Sequence, residues 1–231
     1  MMAAPPSRPP DEFIRRSSGE QAALYIRRLI FDGLLEPGAR VPQDEVAQAL
    51  GISRIPVREA LIALEREGWV TIRMHRGAFV TQLDEQAVRD HYALYGLVFG
   101  FAVERAVERA GPDFVTQLRR LAKDLDRAEE FDDVFRLSVA FNALVVDTAG
   151  SGRLRVVLRA MPGMVPGNFF ELVPGSVASE KRGFAAIVRA VARHDGPKAA
   201  AEYAKTMQAQ GELVVRVLAD RGLLDPPDDQ A

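Results

Sequence analysis

The chain has no cysteine among its 231 residues, and it has only three histidines and one tryptophan. The lack of cysteine excludes disulfide bonds, thiolate metal sites and a cysteine nucleophile. No stretch approaches the roughly 18 consecutive apolar residues that span a membrane, and the N-terminal MMAAPPSRPP lacks the apolar segment of a signal peptide. These absences predict a soluble, cytoplasmic protein with no membrane partner.

Sequence signatures of catalysis are also missing. The chain contains no glycine-rich phosphate loop, no HExxH metal motif and no Ser/His/Asp arrangement of recognisable spacing. We therefore predict that the protein is not an enzyme and that it binds no cofactor.

An excess of positive charge is absent as well. The formal net charge is −2, so the chain is not one that coats nucleic acid through bulk charge, and any basic surface must be local. With 48% hydrophobic residues the chain can bury a core, and its length suits two domains of ordinary size. We expect two domains.

Residues 40–81 have the pattern of two short helices, a tight turn and a β-hairpin. The apolar residues of the first helix share one face, and Gly51 follows where a left-handed C-cap is required. Ser53 can cap the second helix, whose apolar positions follow the i, i+3, i+4, i+7 rule from Val57 to Leu64. This pattern predicts a helix-turn-helix.

The opposite face of the second helix, with Ile55, is basic at its start. Arg54 and Arg58 lie away from the predicted core, and their guanidinium groups suit guanine edges and phosphates. The strands predicted at 69–73 and 78–81 flank Met74-His75-Arg76-Gly77, a hairpin with a basic tip. Such a tip can enter a minor groove or contact a phosphate. The pattern predicts a winged helix-turn-helix that binds DNA.

The remaining segments complete the predicted domain organisation. Residues 1–12 and 223–231 are predicted to be disordered tails. The DNA-binding domain is predicted at 13–82, and its first helix begins in a capping-box pattern that starts at Ser18. From 83 to 222 the pattern is one of amphipathic helices, with a loop at 162–175. The predicted fold class is therefore mainly α, a winged helix-turn-helix followed by an all-α helical bundle.

The motifs LIFDGLLEPGARV, LGISRIPVREALIALEREGWV and RGAFV, in this order, resemble the DNA-binding domain of the GntR family of bacterial transcription regulators. The helical remainder is similar to the FadR-type effector domain. The resemblance implies a homodimer that binds a palindromic operator in double-stranded DNA and responds to a metabolite. We predict a repressor. Together with the residue patterns, the resemblance gives these DNA-binding residues: Ser53, Arg54, Ile55, Pro56, Arg58, His75, Arg76 and Gly77.

The resemblance also bears on metal binding. Most relatives of this type hold a divalent metal through Asp and His four residues apart on one helix and a histidine on each of two later helices. In this chain the corresponding positions are Ser138, Asn142, Phe184 and Gln210. Hydroxyl, amide and phenyl groups are poor substitutes for carboxylate and imidazole, so we predict no metal. An arginine that relatives use for carboxylates is replaced by Tyr95, with Phe99 one turn on.

These positions predict a cavity wall with aromatic surface, neutral hydrogen-bonding groups and no cation. The predicted effector-binding residues are Tyr95, Phe99, Ser138, Asn142, Phe184 and Gln210. A carboxylate buried there would lack a partner, so the predicted effector is neutral or amphipathic. The alternative is that Phe99 and Phe184 close the cavity and the helical domain serves only in dimerisation. His91 is expected at the surface or partly packed.

Overall fold

A computed structural model describes residues 17–161 and 163–224. The predicted tail at 1–12 lies outside the described residues, as does 225–231. The architecture confirms the predicted fold class, a winged helix-turn-helix followed by a helical bundle. Within the described ranges, no helix is both long enough and apolar enough to cross a membrane.

The winged-helix unit combines three helices and one antiparallel hairpin. Its elements are α1 (Ser18–Phe31), α2 (Gln43–Leu50), α3 (Arg54–Arg66), β1 (Val70–Arg73) and β2 (Gly77–Val80). Gly51 ends α2 in the predicted left-handed conformation, with φ of 64°. The capping box of α1 lies one residue earlier than predicted, because Ser17 accepts a hydrogen bond from the Glu20 amide and the Glu20 carboxylate accepts one from the Ser17 amide.

The helical bundle follows directly. Its elements are α4 (Glu85–Arg109), α5 (Asp113–Arg127), α6 (Phe131–Ala149), α7 (Gly152–Arg159), α8 (Phe169–Leu172), α9 (Ser176–Val191) and α10 (Gly196–Asp220). The short helix α8 lies within the loop predicted at 162–175. The two longest helices, α4 and α10, pack closely at Gly96, where the missing side chain leaves room: a Cβ there would lie only 2.9 Å from the Ala204 Cα.

Two apolar clusters form the core, and the first one crosses the domain boundary. It contains the buried residues of α1, α2, α3 and the hairpin together with Val214 and Leu218 from the end of α10. Leu223 is also in this cluster, and its carbonyl accepts a hydrogen bond from the Leu83 amide at 3.1 Å. Leu224 forms a parallel bridge with Leu83. These two leucines therefore belong to the folded chain and not to the predicted tail at 223–231.

Candidate nucleic-acid interface and ligand cavity

The first turns of α3 present the basic face that the sequence predicted. Arg54, Ile55 and Arg58 are exposed, and Ile55 is 68% exposed. The opposite face of the helix is fixed in the core by Val57 and Leu64, both 0% exposed. Burial of one face therefore determines which side chains of α3 face solvent.

Ser53 and Pro56 complete the predicted set on this helix. Ser53 occupies the N-cap position in an extended conformation, but its side chain makes no capping hydrogen bond. The expectation that Ser53 caps the helix through its hydroxyl was therefore wrong in this detail, and Ser53 is exposed. Pro56 is half-buried within the first turn, where a proline is tolerated because the amides of that turn have no intrahelical partner.

Arg54 forms an ion pair with Asp44 on α2. Both side chains are well exposed, 63% for Arg54 and 66% for Asp44. An exposed pair of this kind contributes little stability, about 0–1 kcal/mol. Phosphate oxygens can therefore compete with Asp44 for the guanidinium group.

Arg40 is a basic residue of this surface that the sequence analysis did not single out. It lines one groove together with Arg54, Arg58, Asp44 and other residues of the start of α2. The groove therefore collects three guanidinium groups on one side of the winged-helix unit. A basic residue directly before the helix-turn-helix was the available signal.

The same arginine adjoins the wing. A Cβ built on Gly77 would lie 2.9 Å from the Arg40 Nε, so the glycine leaves room for the guanidinium group. Gly77 also has φ of 100°, a conformation that disfavours other residues. Arg40 thus lies in the groove at the start of α3 and also beside Gly77 of the hairpin.

The wing tip is the turn between β1 and β2. His75 and Arg76 are exposed there, and His75 has a left-handed φ of 60°. The wing is held against α3 because the Glu65 Oε1 accepts a hydrogen bond from the Ile72 amide at 2.7 Å. This bond fixes the wing relative to the basic face of α3.

A cavity of about 260 Å³, open to solvent on one side, lies among the helices of the bundle. The predicted residues Tyr95, Phe99, Ser138, Asn142 and Gln210 line it. Phe184 is not among the lining residues, because it is fully buried and stacks on Phe141 with 3.9 Å between ring centroids. The phenyl ring of Phe184 thus fills the core beside the cavity and leaves the cavity open.

Glu180 is a cavity residue that the sequence analysis missed. It is only 4% exposed, and its Oε2 accepts a hydrogen bond from the Gln210 Nε2 at 3.1 Å. Burial raises the pKa of the Glu180 carboxyl to about 7, against the lowering effect of the hydrogen bond from Gln210. The predicted wall of neutral polar groups therefore contains an acid. The sequence did contain a signal for Glu180: it lies one helical turn before the predicted cavity residue Phe184 and therefore on the same face of the helix.

Aromatic rings supply most of the remaining wall. Tyr95 and Phe99 are stacked at 6.0 Å, and the His91 ring meets the Tyr95 ring edge-on at 5.0 Å. His91 is half-buried and lines the cavity, within the expectation of a partly packed residue. The Tyr95 hydroxyl donates a hydrogen bond to the Met161 carbonyl, and burial raises the Tyr95 pKa to about 12.

The side chains at the positions where FadR-type relatives hold a metal do not fit a metal ion. The Asn142 Oδ1 accepts a hydrogen bond from the Tyr203 hydroxyl at 3.1 Å, and the Gln210 amide nitrogen is occupied by Glu180. In residues 17–161 and 163–224, no group of three or more His, Cys, Asp or Glu side chains could hold a metal. Glu180 alone is a poor substitute for a carboxylate and imidazole set.

Comparison with known families identifies both parts of the chain. Residues 18–80 match the sequence profile described as bacterial regulatory proteins, gntR family, and residues 90–209 match the FCD domain. The second match alone covers more than half of the chain. The chain belongs to the GntR family and carries an FCD domain. The resemblance predicted from the sequence motifs is thereby confirmed.

Curated relatives of this GntR-family chain carry the names of regulators. An uncharacterized HTH-type transcriptional regulator of Mycobacterium tuberculosis H37Rv is 33% identical over 151 residues, which are 65% of this chain and 62% of that protein. The HTH-type transcriptional repressor RspR of Escherichia coli K12 is 31% identical over 138 residues, 56% of this chain and 58% of that protein. The matches thus span less than two thirds of either relative. These names agree with the prediction that the chain is not an enzyme.

Solved structures share the fold. Escherichia coli McbR/YncC has a TM-score of 0.59 at 20% identity and covers 89% of this chain and 99% of its own. A putative GntR regulator from Rhodococcus sp. RHA1 has a TM-score of 0.52 at 21% identity, covering 86% and 98%. At these identities the likeness shows the architecture alone.

Proposed function

We propose that this GntR-family protein is a transcription regulator. It binds a palindromic operator as a homodimer, and a small molecule in the FCD cavity changes its affinity for DNA. The observation that carries this proposal is the groove where Arg40, Arg54 and Arg58 converge beside the wing tip.

The groove is suited to DNA because it concentrates guanidinium groups on a protein whose formal net charge is −2. Arginines at the start of a recognition helix can reach guanine edges, while an arginine at a wing tip can contact phosphate or the minor groove. The exposed Ile55 between Arg54 and Arg58 offers an apolar surface for a thymine methyl group. Base reading by α3 and backbone contacts by the wing together support sequence-specific binding.

An exposed apolar face of the bundle supports the homodimer. Leu94, Leu97 and Phe101 follow one another at spacings of three and four on α4 and are 53%, 66% and 48% exposed. Val156 and Val157, also exposed, lie on α7, which contacts α4. Exposed apolar side chains grouped on neighbouring helices are typical of a protein–protein interface. A second copy related by two-fold symmetry would cover it and would place two recognition helices on two half-sites.

The open cavity supports ligand control over the alternative in which the helical domain only dimerises. Its volume of about 260 Å³ approaches the size range of small-molecule sites. The proposed wall retains the predicted residues Tyr95, Phe99, Ser138, Asn142 and Gln210 and adds Glu180. Repression is the proposed direction of regulation, and the relative RspR is named a repressor.

Footprinting of the full chain on fragments of the genome that encodes it tests the proposal. We expect protection of a palindromic site and, by light scattering, a dimer both free and on DNA. A reporter with that site between promoter and gene should be silenced when the protein is expressed. Failure to protect any fragment, or binding as a monomer, would contradict the proposal, and Arg54→Ala/Arg58→Ala serves as the inactive control.

A further inference from the structure

Two hydrogen-bond acceptors belong to side chains that line the FCD cavity. One is the carboxylate of Glu180, and the other is the side-chain oxygen of Gln210, a residue only 2% exposed. The Gln210 Nε2 donates to Glu180 and to the Ser176 carbonyl at 3.1 and 3.2 Å, which fixes the orientation of the amide. Among the described residues, the Gln210 Oε1 has no hydrogen-bond partner. A buried acceptor without a donor is unfavourable and rare.

Several donors in the wall already have partners within the protein. The Tyr95 hydroxyl donates to the Met161 carbonyl, and the Tyr203 hydroxyl behind the wall donates to Asn142. The Ser138 hydroxyl has no hydrogen-bond partner among the described residues, and a hydroxyl can accept as well as donate. Both unpartnered groups, the Gln210 Oε1 and the Ser138 hydroxyl, can therefore accept a hydrogen bond from a ligand.

The charged and aromatic residues of the wall also favour a ligand that donates hydrogen bonds. None of the lining residues that the structure describes is a lysine or an arginine. Aromatic side chains, among them Tyr95, Phe99, Phe169 and Phe170, surround the space beside Glu180. Aromatic faces attract cations and also pack against apolar groups. A carboxylate ligand would instead face a buried carboxylate without a compensating cation.

We propose that the ligand of this cavity is an organic amine. Its nitrogen donates hydrogen bonds to the Glu180 carboxylate and the Gln210 Oε1, and its apolar body packs against the rings. The inference rests on the proposed role of the cavity as the effector site. It narrows the ligand from a neutral or amphipathic molecule to one with a protonated nitrogen.

Calorimetric titration of the full chain at pH 8 tests this ligand class. The probes are hexylamine and 2-phenylethylamine, their carboxylate counterparts heptanoate and 3-phenylpropanoate, and their alcohol counterparts hexanol and 2-phenylethanol. We expect an amine to bind with a Kd at least ten-fold below those of its matched carboxylate and alcohol. Glu180→Gln and Gln210→Leu should each weaken amine binding at least ten-fold.

The matched control is Glu171→Gln, an exposed carboxylate on the neighbouring α8, which should leave amine binding unchanged. Melting temperatures of the variants check that each one is folded. Equal or tighter binding of the carboxylates, amine binding that survives Glu180→Gln, or no binding by any probe would overturn the inference.

Gel shifts on the operator separate this inference from the proposed function. Release of the operator by a carboxylate would support the regulator and overturn the amine. Amine binding that depends on Glu180, in a protein that binds no operator, would support the amine class and overturn the regulator.

Discussion

Arg221, the residue after α10, lies over the ring of Phe31, the last residue of α1, with 4.0 Å between the guanidinium carbon and the ring centroid. Its Nη1 also donates a hydrogen bond to the Phe31 carbonyl at 2.8 Å. Helix α10 also carries Gln210 in the cavity wall, roughly 16 Å from Arg221 along the helix axis. One helix therefore joins the ligand cavity to the DNA-binding unit.

Arg221→Ala is expected to lower the free energy of unfolding by about 1–2 kcal/mol, because it removes a cation–π contact and a hydrogen bond to a backbone carbonyl. Urea denaturation followed by circular dichroism measures the change. Arg216→Ala is the matched control, since Arg216 is an exposed arginine of α10 that bonds within its own helix. Equal stability of the two variants would contradict a stabilising role for Arg221.

Arg58→Ala is expected to weaken operator binding by about 1–3 kcal/mol if the guanidinium group reads a base edge, which is roughly 5- to 150-fold in Kd. Gel-shift titrations at fixed salt measure the loss. Arg66→Ala, at the other end of the same helix, removes an equal charge and should have a much smaller effect. Equal losses in the two variants would indicate only a general electrostatic contribution.

Asp44→Asn is expected to strengthen operator binding up to about five-fold, because it frees Arg54 from an exposed pair of about 0–1 kcal/mol. If Arg54 then contacts a phosphate, the slope of log K against log salt should steepen by about 0.9. Glu45→Gln removes the same charge from the same groove without breaking that pair. If Asp44 holds Arg54 away from DNA, Asp44→Asn should increase operator affinity more than Glu45→Gln does. Equal gains would contradict this role of Asp44.

Glu65→Ala is expected to weaken operator binding several-fold although Glu65 need not touch DNA. The variant removes the acceptor for the Ile72 amide and so loosens the wing from α3. Glu65→Gln keeps a carbonyl acceptor and should restore most of the affinity. Fluorescence anisotropy with a labelled operator measures the affinity of both variants. An equal loss in the two would mean that the negative charge of Glu65, and not the position of the wing, affects operator binding.

The winged helix was predictable from the sequence because its signals are local. The buried spacing from Val57 to Leu64 and the glycine at 51 fix α3 and the turn before it without reference to distant residues. The N-cap of α1 was misplaced by one residue because Ser17 and Ser18 are adjacent, and only the structure shows which one bonds to Glu20.

The cavity could be predicted only in part because its chemistry arises from tertiary packing. Spacing along the chain places Ser138 and Asn142 on one face of α6, and both line the cavity. The burial of Glu180 depends on how α9 packs against α10, which no local pattern reports. In the same way, Arg40 reaches Gly77 across the wing, through a contact between residues far apart in sequence.

The pH dependence of stability should report on Glu180. Burial raises the pKa of its carboxyl to about 7 from an ordinary value of 4.5, so the folded protein binds the proton more tightly than the unfolded chain. The contribution of the Glu180 proton to the free energy of unfolding is fully present below pH 4.5, and it is lost as the pH rises through about 7. Between pH 5 and pH 8 the loss should be up to about 3 kcal/mol.

The difference between wild type and Glu180→Gln isolates this effect, because the glutamine cannot titrate. The other titratable groups around the cavity are His91, Tyr92 and Tyr95 on α4 and Tyr203 on α10. Burial raises the pKa of all three tyrosines, so they stay neutral between pH 5 and pH 8. His91→Gln in both backgrounds removes the imidazole from the cavity wall. If urea denaturation then gives the same pH dependence with and without Glu180, the carboxyl is not the group that titrates near pH 7.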